Sequence, residues 1–255
     1  AAPYADEGGE SLREFGRFRF RETLCAALAD GVTVIEPSLE ISLIGCFDND
    51  AKWMVEEYQT IIADVQAAHP GRDFTVRPEL GMARDYPPEL LDGWVPAALA
   101  TGFFRSLDLY GTETAGDDAA YVRFFRMAGQ QGLRRKAHSG EYRPAAAVRR
   151  SVELFDLDAV QHGQSAAGDP HVLEFLAARG TVLNLCPTSN VRLGRVPSLA
   201  AHPIAAIARA GVKVTVNSDD RIVFDRSVSE EYLALYQAGV LTAPELDTIR
   251  RESLL

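Results

Sequence analysis

At 255 residues and 47% apolar side chains, the chain has the length of one α/β barrel or two small domains and enough apolar material for a continuous core. Its 36 acidic against 26 basic residues leave a net charge of −10 and an isoelectric point near 5.0. This balance excludes a nucleic-acid surface: neutralising phosphates takes clustered Lys and Arg, and the short basic runs at 134–136 and 149–150 read as solvated faces. No apolar run reaches the length of a membrane span, and residues 1–10 are acidic where a targeting peptide would be basic and then apolar. Cys25, Cys46 and Cys186 are odd in number and far apart, so they fit a reducing compartment, and a cytoplasmic location is expected.

Along the chain, residues 11–28 read as largely helical, and from Gly31 onward short β-branched runs alternate with longer amphipathic stretches. Strands are predicted at 32–36, 74–80, 104–109, 133–138, 159–162, 181–185 and 213–217. Helices are predicted between and after them at 51–69, 88–100, 118–130, 144–155, 170–178, 200–210, 228–238 and 245–255. In the first of these helices, Trp53, Met54, Tyr58, Ile61, Ile62 and Val65 recur at three- and four-residue spacing before Pro70-Gly71 stops it. The expected fold class is α/β, a TIM-type (β/α)8 barrel in one domain spanning 1–255. Seven strands are identifiable against the eight such a barrel needs, so the first strand is expected to be the one missing.

The residues able to do chemistry fall where strands end, and in a parallel barrel those ends share one rim. His138 closes one run, with Gly140 and Glu141 on the loop after it; His162-Gly163 closes the next; Asp219-Asp220 follow the last. A strand-end imidazole suits a metal, a glutamate one turn on can reach a substrate, and adjacent acids at a strand tip repel unless a cation lies near. The Ser218-Asp219-Asp220 run equally suits a helix cap. Gly140 would let the backbone approach a ligand closely. His69, His171 and His202 lie away from strand tips and are left out of the site, while Cys186-Pro187-Thr188-Ser189-Asn190 reads as a turn shaping a pocket wall.

The strings KAHSGE, QHG, LNLCPTSNVRLG and VTVNSDDR, in this order and spacing, resemble the second half of the adenosine deaminase family, and the segment from Ser106 to Glu113 matches its central Asp, Gly and Glu positions. The resemblance runs from about Gly31 to the end. It implies a zinc enzyme that deaminates adenosine or a related 6-aminopurine, a small-molecule partner. His138 and Asp219 would ligate Zn2+, Glu141 would protonate purine N1, and His162 would orient and deprotonate the zinc-bound water. Asp220 would hydrogen-bond N7, and the Gly111 amide would contact N3.

The sequence departs from the family pattern at several positions. The family's His-x-His pair is absent, in keeping with the strand deficit. Arg221 stands where many relatives have proline, Gln161 replaces a glycine before His162, and Ser139 replaces a common alanine, changes that would leave the purine substituent open. A second reading, a metal-free purine-binding or interaction protein, rests on the missing His-x-His.

Overall fold

The computed structural model describes residues 9–114 and 118–254. Their internal contacts form two units, one of residues 9–110 with 120–133, the other of 111–114, 118–119 and 134–254.

The first unit opens with helix α1 (Gly9–Ala29), whose Phe20, Leu24 and Leu28, one helical turn apart, are buried. Strands β1 (Val34–Ile35) and β2 (Ser38–Glu40) follow, then a 3-10 turn over Ile41–Phe47 and helix α2 (Ala51–Ala68). Asp50 caps α2 by accepting from the amides of Lys52 at 2.9 Å and Trp53 at 3.1 Å. Met54, Tyr58, Ile61 and Val65 form its buried face, with Phe20 of α1 set edge-on against Tyr58 at 4.8 Å. Strands β3 (Thr75–Val76) and β4 (Glu79–Ala83), helix α3 (Pro88–Ala100), strand β5 (Ser106–Tyr110) and helix α4 (Val122–Gln130) complete the unit.

Here the expected strands 32–36 and 74–80 are corrected: the first shortens to β1, with β2 lying beyond its end, and the second divides into β3 and β4. β1 and β3 pair with each other in a separate two-stranded ribbon. Pro37 and Pro78, which lack an N–H, then separate β1 from β2 and β3 from β4, and β2, β4 and β5 form the parallel ladder, with Leu39 opposite Leu80 and Gly81 opposite Asp108. The proline carbonyls keep the chains in register by accepting from Glu79 N at 3.0 Å and Arg105 N at 2.8 Å.

The second unit carries four more parallel strands: β5 of the first unit is followed in chain order by β6 (Arg134–Ser139), β7 (Ala159–His162), β8 (Val182–Leu185) and β9 (Val214–Val216); six of the seven expected segments thus overlap one of β4 to β9, whereas 32–36 overlaps only β1. Helices α5 (Ala145–Phe155), α6 (Pro170–Arg179), α7 (Pro187–Arg192) and α8 (Ile204–Arg209) alternate with them, and α9 (Arg221–Phe224), α10 (Val228–Gln237) and α11 (Ala243–Glu252) follow. The predicted helix 200–210 is shortened because Pro203 separates a 3-10 turn at Leu199–Ala201 from α8. α10 and α11 start with reciprocal capping boxes, Ser227 with Glu230 and Thr242 with Glu245.

Two rows cross this ladder. Ala137, Val160, Leu183 and Val214 are directly opposite one another and buried. One residue further along, and so on the other face, His138, Gln161, Asn184 and Thr215 form a half-buried polar row. Asn184 donates to Gln161 Oε1 at 2.8 Å, and Thr215 donates to Asn184 Oδ1 at 2.8 Å. Gln161 thus takes part in a cross-strand network that locks the strand ends together. Ser139 lies on the opposite face, where its hydroxyl meets Ser151 of α5 at 3.0 Å, both buried, so its departure from the family's alanine serves strand–helix packing.

Candidate active site

By strand alternation His162, which pairs with Ser139, should share the face of Ser139 and point away from His138. It does not, because its backbone turns left-handed, φ 62°. That conformation costs a non-glycine residue about 1–2 kcal/mol. It carries the imidazole round until its ring lies 5.1 Å from that of His138. Asp219 is also left-handed, φ 58°, just beyond the end of β9. Two of the six described non-glycine residues with positive φ are therefore residues singled out for chemistry, the setting in which stored strain is informative.

Around these turns the side chains converge. Ligand atoms of His162, Cys186 and Asp219 all lie within 4.8 Å of one another. Glu141 Oε2 is 3.7 Å from His162 Nε2, with both side chains nearly buried. Glu141 Oε1 is buried with no hydrogen-bond partner among the described residues. Burial is the main reason its carboxyl is pushed up to about 7; His138 opposes the rise, Asp219 and Glu113 add to it, and Arg195 opposes it. The fields of His138 and Asp219 thus both reach Glu141. Cys186 is a buried free thiol, pushed well above its ordinary range by the same loss of solvent.

The two remaining expected residues are Asp220 and Gly111. Asp220 caps α9, its Oδ1 accepting from Ile222 N at 3.0 Å, and its own amide donates to Asp219 Oδ1 at 2.8 Å. The helix-cap pattern visible in the sequence is therefore realised at Asp220. Gly111 is an exposed glycine at φ 89° directly after β5. Arg221 is the first, exposed residue of α9.

Glu113 was read in the sequence only as part of the central segment, and the structure gives it a specific task. Its buried carboxylate accepts three backbone amides of the loop after β6: Gly140 N at 3.1 Å, Arg143 N at 3.2 Å and Glu141 N at 2.9 Å. A carboxylate supplies the several lone pairs that three converging N–H groups need, and each such bond is worth about 1.5–3 kcal/mol. Glu113→Gln turns one acceptor into a donor facing those amides. The expected result is a loss of about 1–3 kcal/mol in stability and a fall in kcat larger than any change in KM, read by denaturant titration and steady-state kinetics.

The expectation that Gly140 admits a ligand is corrected. With φ 78°, it sits against protein: a Cβ there would fall 2.3 Å from Val148 Cγ2 and 2.5 Å from Ser165 Oγ. Gly140→Ala is expected to destabilise the fold by roughly 2–4 kcal/mol through strain and overpacking. A lowered denaturation midpoint would check this.

Residues 97–254 match the family model for adenosine deaminase. The chain is 35% identical over 216 residues to a putative adenosine/adenine deaminase of Treponema pallidum (strain Nichols), covering 85% of this chain and 71% of that protein. It spans about half the length of the curated adenine deaminases that it also matches. Among solved structures, an adenine deaminase from Arthrobacter aurescens superposes with a TM-score of 0.83 at 25% identity, over 93% of this chain and 72% of that one. A Burkholderia ambifaria amidohydrolase with bound Zn gives a TM-score of 0.83 at 20% identity, over 93% and 66%. The TIM-type barrel class expected from the strand-end motifs is the class of these neighbours.

Proposed function

Because the chain belongs to the adenosine deaminase family, we propose that it catalyses hydrolytic deamination of a 6-aminopurine, adenosine or adenine, taking up water, releasing ammonia and leaving the 6-oxo ring. The observation that carries this reading is the buried Glu141–His162 pair standing beside Asp219 and His138 at the ends of β6, β7 and β9.

The donor set fits a borderline divalent metal: imidazole nitrogen and carboxylate oxygen are at hand, and the buried Glu141 Oε1 has no hydrogen-bond partner among the described residues. His138 and Asp219 would hold Zn2+. When bound, the metal would lower the pKa of water, so that a hydroxide nucleophile is present near neutral pH. The chain's own residues do the rest. Glu141, kept protonated by burial, delivers a proton to purine N1 as charge builds there during attack at C6. His162, clamped by its left-handed turn, holds the attacking oxygen in line. Asp220 hydrogen-bonds purine N7 and the Gly111 amide meets N3. The strand-end side chains belong to one catalytic domain, the partner is a small molecule, and nucleic acid and membrane play no part. No helix among the described residues is long and apolar enough to cross a bilayer, and the three free cysteines support a cytoplasmic location.

Ammonia release from adenine, adenosine and AMP, each followed alongside loss of the 6-aminopurine absorbance band, tests the reading. Turnover of at least one supports it. Turnover of none by the zinc-supplemented chain would overturn it.

A further inference from the structure

Behind His162 runs a line of buried polar groups whose direction is set by a single backbone amide. Ile204 N–H points at His202 Nδ1 at 3.2 Å. His202 Nε2 lies 3.2 Å from Asn190 Oδ1, and Asn190 Nδ2 lies 3.4 Å from His162 Nδ1. The three side chains belong to residues that are 4%, 0% and 3% exposed in the order His202, Asn190, His162. The backbone of Asn190 is equally fixed. Its N–H donates to Cys186 O at 2.9 Å, and its carbonyl accepts from Arg195 N at 2.8 Å and Val196 N at 3.1 Å.

A backbone amide can only donate, so His202 Nδ1 must be the bare nitrogen of its ring. A neutral imidazole with Nδ1 bare carries its hydrogen on Nε2, and that hydrogen requires the oxygen of the Asn190 amide to face it. The NH2 of Asn190 therefore faces His162 and donates to Nδ1. A charged His202 would set an Nδ1–H against the Ile204 N–H; burial, which pushes this ring down to about 4, acts in the same sense.

We propose that Asn190 and His202 are positioning residues that fix the tautomer of His162, leaving its Nδ1 an acceptor and placing the proton of the neutral ring on Nε2, the atom that faces Glu141. A ring set in this way holds an oxygen in the site by donating to it. In that state no Nε2 lone pair faces the site, so the proton removal that the family resemblance assigns to His162 does not occur from this tautomer. The proposal rests on the deaminase reading for its catalytic meaning; the tautomer itself does not.

Nitrogen-15 spectra of the imidazoles in the full chain, recorded at alkaline pH with and without chelator, read the tautomer directly, and the sequence has only five histidines to assign. In the unaltered protein His162 is expected to show a bare Nδ1 and a protonated Nε2. His202→Gln, whose amide N–H replaces the Nε2 donor, should preserve that state. Asn190→Asp, whose carboxylate accepts from both rings, should reverse it and lower kcat about 10- to 100-fold with little change in KM. If Asn190→Asp does not fold, His202→Phe removes the donor instead and should leave His162 with mixed tautomers. A protonated Nδ1 in the unaltered protein, or a folded Asn190→Asp or His202→Phe with the pattern unchanged, would overturn the proposal. A chain that deaminates a 6-aminopurine with the opposite tautomer defeats the relay alone; one with the expected tautomer and no turnover defeats the functional reading alone.

Discussion

Glu141→Gln is expected to abolish deamination while leaving the bound metal in place. The side chain lies 3.7 Å from His162 and is largely removed from solvent, which favours its protonated form. Gln matches its shape and retains an N–H, but has no proton acidic enough to give to the ring. General-acid contributions run to about 10²–10⁴-fold in rate, so kcat should fall by at least two orders of magnitude, with zinc content by elemental analysis unaltered. A variant that lost its metal and its activity together would make Glu141 a ligand.

Asp219→Ala is expected to remove metal and turnover at once, because the carboxylate at the end of β9 is one of the proposed ligands and a catalytic site has little metal affinity to spare when a protein ligand is lost. His138→Ala should behave in the same way. Cys186→Ala is the informative contrast. Its sulfur is within 4.8 Å of the Asp219 and His162 ligand atoms, yet it is a buried free thiol whose S–H is directed at Asn184 O, 3.8 Å away, and it is not one of the proposed ligands. The Cys186 variant should therefore keep its metal. Loss of metal there, with retention in His138→Ala, would replace the proposed ligand pair with the His162, Cys186 and Asp219 set.

Much of this was legible in the sequence, for local reasons. α2 announces itself by the Asp50 cap, the periodic Met54, Tyr58, Ile61 and Val65, and the Pro70-Gly71 stop. The strand-end positions of His138, His162 and Asp219 follow from β-branched runs ending at polar residues. What escaped depends on distance or on backbone sign. Pro78 splits a strand that hydropathy alone reads as continuous, and β2, beyond Pro37, is a three-residue Ser-Leu-Glu strand with no β-branched run to mark it. His202 read as part of a helix, whereas Pro203 ends the turn before it and frees the ring to face Asn190. Glu113 meets amides 27 to 30 residues away, a partnership with no signature in spacing. The left-handed turn at His162 is invisible in residue type, although the glycine that follows it and the tolerance of histidine for that region are faint pointers.

Zinc content and ammonia release, measured on the same preparation of the full chain, test the central claim most directly. The account predicts stoichiometric metal, with adenine or adenosine converted to its 6-oxo product and both properties lost together in Asp219→Ala. A folded chain that takes up no metal and releases no ammonia from any 6-aminopurine would contradict it.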